Sequence, residues 1–317
     1  MRARSPWAGV LALAGLSVVF AANHVAARVA FDHGASVSTA VVVRAAGTAL
    51  AVAVLLRLTG VALALPTASA GRAIAIGLVL ALQSFCVYSA VARIPVALAL
   101  LTYNSFPILL ALLSWATGGE RPTRRTVIAL PVILAGLALA LDVPGVLGSS
   151  GGPPGAGRPG DGATGQAVTG GTGAGAGYAA GVGFALAASA AFALALLLTT
   201  RWLGAVDGRL RTMWTMATVA VAVGAAAAAG GGFAAPADAT GWGALVLLTV
   251  LFCLAFTTLL VVLPRMGAVN NSAVLNIEPL ASMALAWAIL DQRIAPLQVG
   301  GALVVVGAIL WMSAGRR

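Results

Sequence analysis

Apolar runs of about 20 residues recur from one end of this chain to the other, and no other feature limits its fold so strongly. A bilayer core is ~30 Å thick and an α-helix rises ~1.5 Å per residue, so each run has the length of a transmembrane helix. The composition agrees. Of 317 residues, 61% are hydrophobic and 8% charged, where a soluble domain carries roughly 45–50% and about 25%. The chain reads as an all-α integral membrane protein surrounded by lipid.

The net charge of +10 comes from eighteen arginines without a single lysine. They sit singly or in pairs between apolar runs, which fits membrane topology better than nucleic-acid binding. The absence of lysine also excludes a P-loop lysine and a Schiff-base lysine. Cys86 and Cys253 lie in apolar runs without metal-ligand spacing and read as small buried residues.

The first run, about residues 7–28, is long and carries Asn23 and His24 near its far end, so it reads as a retained helix and not a cleaved signal. Four more follow: 38–56 with Arg44, 72–92, 95–117 with Tyr103, Asn104 and Pro107, and 126–141. Residues 143–177 are mostly Gly, Pro, Ala, Ser and Thr and read as a flexible linker. The second half repeats the plan with runs at 178–203, 210–229, 242–263, 268–290 and 296–314. Residues 1–142 and 178–317 thus form two five-helix units.

A shift of 172 residues superimposes the halves without a gap. Arg93 falls on Arg265, Asn104 on Asn276, Pro107 on Pro279, Trp115 on Trp287 and Arg121 on Arg293. Glu278 falls on Phe106, so the acid belongs to the second copy alone. An odd number of spans per copy requires the copies to enter the membrane in opposite orientations. Inverted repeats recur in secondary transporters, with the substrate near the midplane where the copies meet. With both termini cytoplasmic, thirteen arginines lie in inner segments and four (Arg28, Arg93, Arg158, Arg293) in outer ones, as the positive-inside rule demands. Arg121, Arg124 and Arg125 belong to the inner set, and the linker then lies outside.

The segment from Asn276 to Leu310 resembles the end of an EamA domain of the drug/metabolite transporter superfamily. Glu278-Pro279, Pro296-Leu297-Gln298 and Gly300-Gly301 match that pattern, as does Gly119-Glu120-Arg121 in the first half; Asp291-Gln292-Arg293 departs from it. Phe20 to Asn23 and Arg44 are similar to the family's first- and second-helix residues, with Phe20 in place of Trp. The resemblance covers nearly all the chain outside the linker. It implies ten helices as two inverted EamA repeats in the cell (inner) membrane, moving a small-molecule metabolite without ATP or cofactor. Amino acids or related compounds, and efflux over uptake, are the family-level expectation.

Glu278 is the strongest site candidate. A carboxylate at membrane depth costs on the order of 2.5–3.5 kcal/mol on insertion scales, so it reads as a substrate-amine ligand or a site for a coupling proton. The competing reading is a hydrogen-bonded carboxyl that fixes packing. By helix rise, Arg44 lies within ~6 Å of its depth, in reach of a salt bridge or a shared cavity; snorkelling is the alternative. Asn104 and Asn276, each three residues before a proline, suit substrate contact or interhelical hydrogen bonds. Pro107 and Pro279 are candidate bends for gating. Tyr103 and Trp287 are candidate cavity-lining aromatics, with core or lipid-facing rings as the plainer reading. Asn23 and His24 are further substrate or proton candidates, and His33 reads as a solvated turn residue. An intramembrane enzyme would need a nucleophile–base pair, a carboxylate pair or a metal set. One Glu, a His-Asn pair distant in sequence and two cysteines do not supply one. A membrane scaffold or sensor is the other alternative.

Overall fold

The computed structural model describes residues 6–119, 124–140, 172–266, 278–292 and 295–314. They form eleven helices. In chain order these are α1 (Pro6–Asp32), α2 (Val37–Leu58), α3 (Thr67–Val91), α4 (Val96–Tyr103), α5 (Phe106–Ala116) and α6 (Arg124–Ala140), then α7 (Thr172–Leu203), α8 (Gly208–Gly230), α9 (Ala239–Met266), α10 (Glu278–Leu290) and α11 (Pro296–Ala314). Asn276 and residues 143–171 of the expected linker lie outside the described residues. Residues 172–177, read as linker, are instead the first turns of α7; a backbone entering lipid satisfies its own polar groups best as helix.

The surface is apolar and the interior is small. Leu50, Leu58 and Val221 are 67%, 80% and 71% exposed, the inverse of a soluble protein. Between the helices sit buried Ala40, Ala45, Ser17, Thr48 and Ser189. Lipid gives helices no hydrophobic drive to associate, so small residues that allow close backbone approach hold them together. At Gly301 an added Cβ would lie 2.6 Å from the Gly136 carbonyl oxygen, so α6 and α11 touch backbone to backbone. Five stretches (37–58, 67–91, 96–116, 176–203 and 208–230) are long and apolar enough to cross a membrane. Shorter apolar stretches lie in α6, α9, α10 and α11.

The shift of 172 residues lands on the helix boundaries. Thr67, the start of α3, maps to Ala239, the start of α9, and Arg124 of α6 maps to Pro296 of α11. The principal packing pairs join the two halves: α1 with α9, α3 with α7, α2 with α8, and α6 with α11. The first two pairs exchange under the repeat and the other two map onto themselves, as a pseudo-twofold axis between the copies requires.

Two ends of the bundle can be told apart. At one end the α1–α2 turn meets the α8–α9 loop: the Ser36 amide donates to the Ala234 carbonyl at 3.0 Å and the Ala237 amide to that of His33 at 2.8 Å. His33, expected to be solvated, has its ring nitrogen 2.7 Å from the Asp238 carboxylate. Arg28, near the end of α1, donates to the Val91 carbonyl at 3.1 Å, and Gly181, early in α7, abuts Ile94. At the other end Arg209 donates to Thr59, Trp214 to the Leu63 carbonyl, and Arg201, late in α7, to Thr117. The helix α1 therefore finishes where α7 begins, and these repeat mates run in opposite directions.

The fourth run is not one helix. It breaks at Asn104-Ser105 between α4 and α5. Pro107 stands in the first turn of α5, where its missing N–H costs nothing because that amide would have no intrahelical partner. The expected proline bend is thus a break between two helices.

Candidate functional site

Helix periodicity brings polar residues of three first-half helices to one place. On α1, Phe20, Asn23 and His24 are spaced i, i+3, i+4 and share a face. On α2, Arg44 and Thr48 are one turn apart, as are Ser84 and Tyr88 on α3. Asn23, His24, Arg44, Gln83 and Ser84 are all buried, and Tyr88 is fully so. From the second half come Leu248 and Phe252 of α9 and Glu278, the first residue of α10.

Asn23 joins the halves at this level. Its side-chain amide donates to the Leu248 carbonyl at 2.6 Å, and its own oxygen accepts the Tyr88 hydroxyl at 3.1 Å. Next to it, His24 places Nε2 3.6 Å from Glu278 Oε1. Arg44 Nη2 donates to Ser84 Oγ at 2.9 Å, and that hydroxyl donates to Gln83 Oε1 at 3.2 Å. The guanidinium lies 4.0 Å from the Phe252 ring centroid and 5.0 Å from that of Tyr88. Two aromatic faces thus replace part of its lost hydration. Among the described residues, His24 Nδ1 and Arg44 Nε are buried polar atoms without a hydrogen-bond partner.

The direct Arg44–Glu278 bridge allowed by their depths is replaced by His24–Glu278, because Arg44 is drawn to Ser84 and the two rings. The His-Asn pair that is distant from Glu278 in sequence touches its neighbourhood in space. Tyr103 packs its ring on Phe106 and Phe192 at centroid distances of 5.8 and 5.5 Å. Asn104 turns back on its own helix, its amide donating to the Leu100 carbonyl at 2.8 Å. It closes the last turn of α4 and is not drawn into the cluster. Trp287 is 67% exposed on the outer face of α10 and does not line an interior; the buried face of that helix is taken by Ser282, Met283 and Ala286. Asn276 and Arg293 are outside the described residues, and of Pro279 only its place in α10 is described.

Gln83, Ser84, Tyr88 and Phe252 are the site residues that sequence reasoning missed. A tyrosine in an apolar run reads equally as core, interface or site. Only its spacing of four from Ser84 hinted at a shared polar face. Among the described residues no three His, Cys, Asp or Glu side chains gather to hold a metal.

The arrangement is one carboxylate, one imidazole and one guanidinium held within a low-dielectric interior, contributed by both halves. The EamA-like transporter family matches the chain over residues 7–141 and again over 179–314, the two copies found by the internal shift. None of the curated proteins compared matches the chain. One solved crystal structure is similar to it with a TM-score of 0.61 and 19% identity, over 97% of this chain and 96% of that one, a likeness of fold alone.

Proposed function

This chain belongs to the EamA-like transporter family, and from that premise we propose that it is a ten-span secondary active transporter of the cell (inner) membrane. Its two inverted five-helix repeats alternate access to a shared site, with both termini cytoplasmic. The cargo is a small metabolite, and efflux of amino acids or related compounds is the reading favoured by the family resemblance. Protons are the coupling ion, carried by Glu278.

The observation that carries this reading is the His24–Glu278 pair beside an unbridged Arg44, where the α1, α2 and α3 of one repeat meet the α9 and α10 of the other. A buried ion group that only stabilised a fold could be replaced by apolar residues at little loss. Opposite charges kept from pairing with each other suit a cargo that carries both signs. Glu278 supplies a partner for an ammonium and Arg44, with its free Nε, a partner for a carboxylate.

The test is an export and tolerance screen of a strain overexpressing the chain, followed by flux in proteoliposomes. Glu278→Gln is expected to remove the dependence of flux on a proton gradient while the protein inserts and melts as before. Unchanged gradient-driven flux in that variant rejects Glu278 as the coupling group, and absence of any exported compound rejects transport.

A further inference from the structure

Oppositely charged groups in a low-dielectric interior attract strongly, and arginine pairs with carboxylates in a two-pronged geometry that is hard to displace. Arg44 and Glu278 are both in this interior, yet the carboxylate is paired with His24 and the guanidinium is not. Something holds the two apart. Around them stand His24 on α1, Tyr88 on α3 and Tyr103 on α4, and Tyr88 packs against both Arg44 and His24, the partner of Glu278. Its ring centroid lies 5.6 Å from that of His24 and 5.0 Å from the Arg44 guanidinium carbon.

Tyr88 is also the most tightly fixed member. It is fully buried. Its hydroxyl is tied to Asn23, which is itself tied to the α9 backbone, and its ring edge meets Phe31 at 6.0 Å. We propose that Tyr88 is a positioning residue: its ring is a partition that keeps Arg44 from collapsing onto Glu278, so that the carboxylate stays with His24 and both charges stay open to cargo. The purpose assigned to this partition rests on the transport reading; its geometry does not.

The chain makes a direct test practical, because it holds two glutamates, Glu120 and Glu278, and two histidines. The full-length protein is prepared in lipid bilayers with carbon-13 on glutamate and nitrogen-15 on either arginine or histidine, and carbon–nitrogen dipolar contacts are read by solid-state NMR. Glu278→Gln assigns the Glu278 carboxyl signal. In the wild type that signal is expected to sense histidine nitrogen and not arginine nitrogen. Tyr88→Leu removes the ring and is expected to create an arginine contact that disappears again in Tyr88→Leu/Arg44→Gln. Tyr88→Phe keeps the ring and is expected to behave as the wild type. A strong arginine contact in the wild type overturns the proposal. So does its absence in Tyr88→Leu, or an equal response in Tyr88→Phe, which would assign the effect to the hydroxyl. If Tyr88→Leu does not fold, Tyr88→Met, unbranched, more adaptable and also without a ring, carries the same expectation. A chain that exports nothing but shows this pattern loses the transport reading and keeps the partition.

Discussion

The site and its repeat mate are built on the same scaffold and filled with opposite chemistry. Shifting by 172 residues sends Phe20 to Phe192, Asn23 to Ala195, His24 to Leu196, Arg44 to Met216 and Tyr88 to Leu260, while Glu278 comes from Phe106. Where α1 meets α10 through His24 and Glu278, α7 meets α5 through Phe192 and Phe106, whose centroids are 4.8 Å apart in an edge-to-face contact. One crossing carries charge and the other carries a stack of rings that Tyr103 completes. Backbone duplication therefore supplied a pseudo-symmetric frame, and side-chain divergence confined the ionisable groups to one of its two equivalent crossings. If transport uses the frame's symmetry to open alternately to each side, its chemistry still takes place at one of the two crossings.

The largest test of this contrast exchanges like for like at the mate positions. Glu278→Gln is expected to abolish proton-driven flux with little change in melting. Phe106→Ala, its mate, is expected to leave coupling intact and to cost about 1–2 kcal/mol of stability, less than the ~3–5 kcal/mol of a fully buried phenylalanine because this ring is half-buried. Flux and thermal unfolding measured on both variants decide it. If Phe106→Ala loses coupling as Glu278→Gln does, the two crossings share the chemistry and the contrast fails.

Arg44→Met installs the residue of the mate position. Removing a buried cation whose charge, among the described residues, is met by a hydroxyl and two rings is expected to leave the melting temperature unchanged or raise it. Flux is expected to fall by at least tenfold, the equivalent of ~1.4 kcal/mol of lost cargo binding. Gain of stability with loss of function is the signature of a charge retained for use. A matching loss of stability would mark Arg44 as structural.

Much of this frame was legible in the sequence, and the reason is period. Apolar run lengths and the gapless register placed Thr67 on Ala239 and Arg124 on Pro296 because helix length is set by bilayer thickness. Glu278, Asn23, His24 and Arg44 could be singled out because a charge or amide in an apolar run is conspicuous. Which of them touch was not legible. Depth along a helix follows from rise per residue, but the azimuth toward a neighbour depends on packing, so the Arg44 bridge went to Ser84 and its expected partner went to His24. The partner of Asn104 was hidden for a related reason: next to a break, its amide donates to the Leu100 carbonyl one turn back. Tyr88 was missed because nothing local marks a ring that packs against both a guanidinium and an imidazole from other helices.

The packing of the frame offers a finer comparison. An added Cβ at Gly47 of α2 would lie 2.6 Å from Thr249 Cγ2 on α9, and one at Gly77 of α3 would lie 2.5 Å from Thr218 Cβ on α8. These crossings are repeat mates, yet the obstacle is the tip of a side chain in the first and its root in the second. Gly47→Ala and Gly77→Ala are each expected to destabilise by about 1–3 kcal/mol. Thr249→Ser, which deletes Cγ2, should rescue the first. Thr218→Ser, which keeps Cβ, should not rescue the second. Melting of the four single and two double variants reads the result; equal rescue would mean that the α3–α8 backbones yield where the α2–α9 pair does not.

The smallest effect belongs to the bundle ends, where charges meet water. Asp238 is held below the usual aspartate value of 3.8 by the Gly241 amide and by His33, and Asp207 is likewise lowered by Arg209 at the opposite end. A carboxyl whose folded-state value is depressed stabilises the fold above its unfolded value, and the contribution disappears as pH falls through the folded one. Unfolding followed below about pH 4 is therefore expected to lose a small increment from each end. Asp238→Asn should remove the increment of the His33 end alone, and Asp207→Asn that of the Arg209 end alone. Because the two acids lie at opposite ends and share no partner, the double variant should show the sum of the single effects. A deficit larger than that sum would mean that closing one end of the bundle is coupled to closing the other, through the same buried layer that holds Asn23 to Leu248.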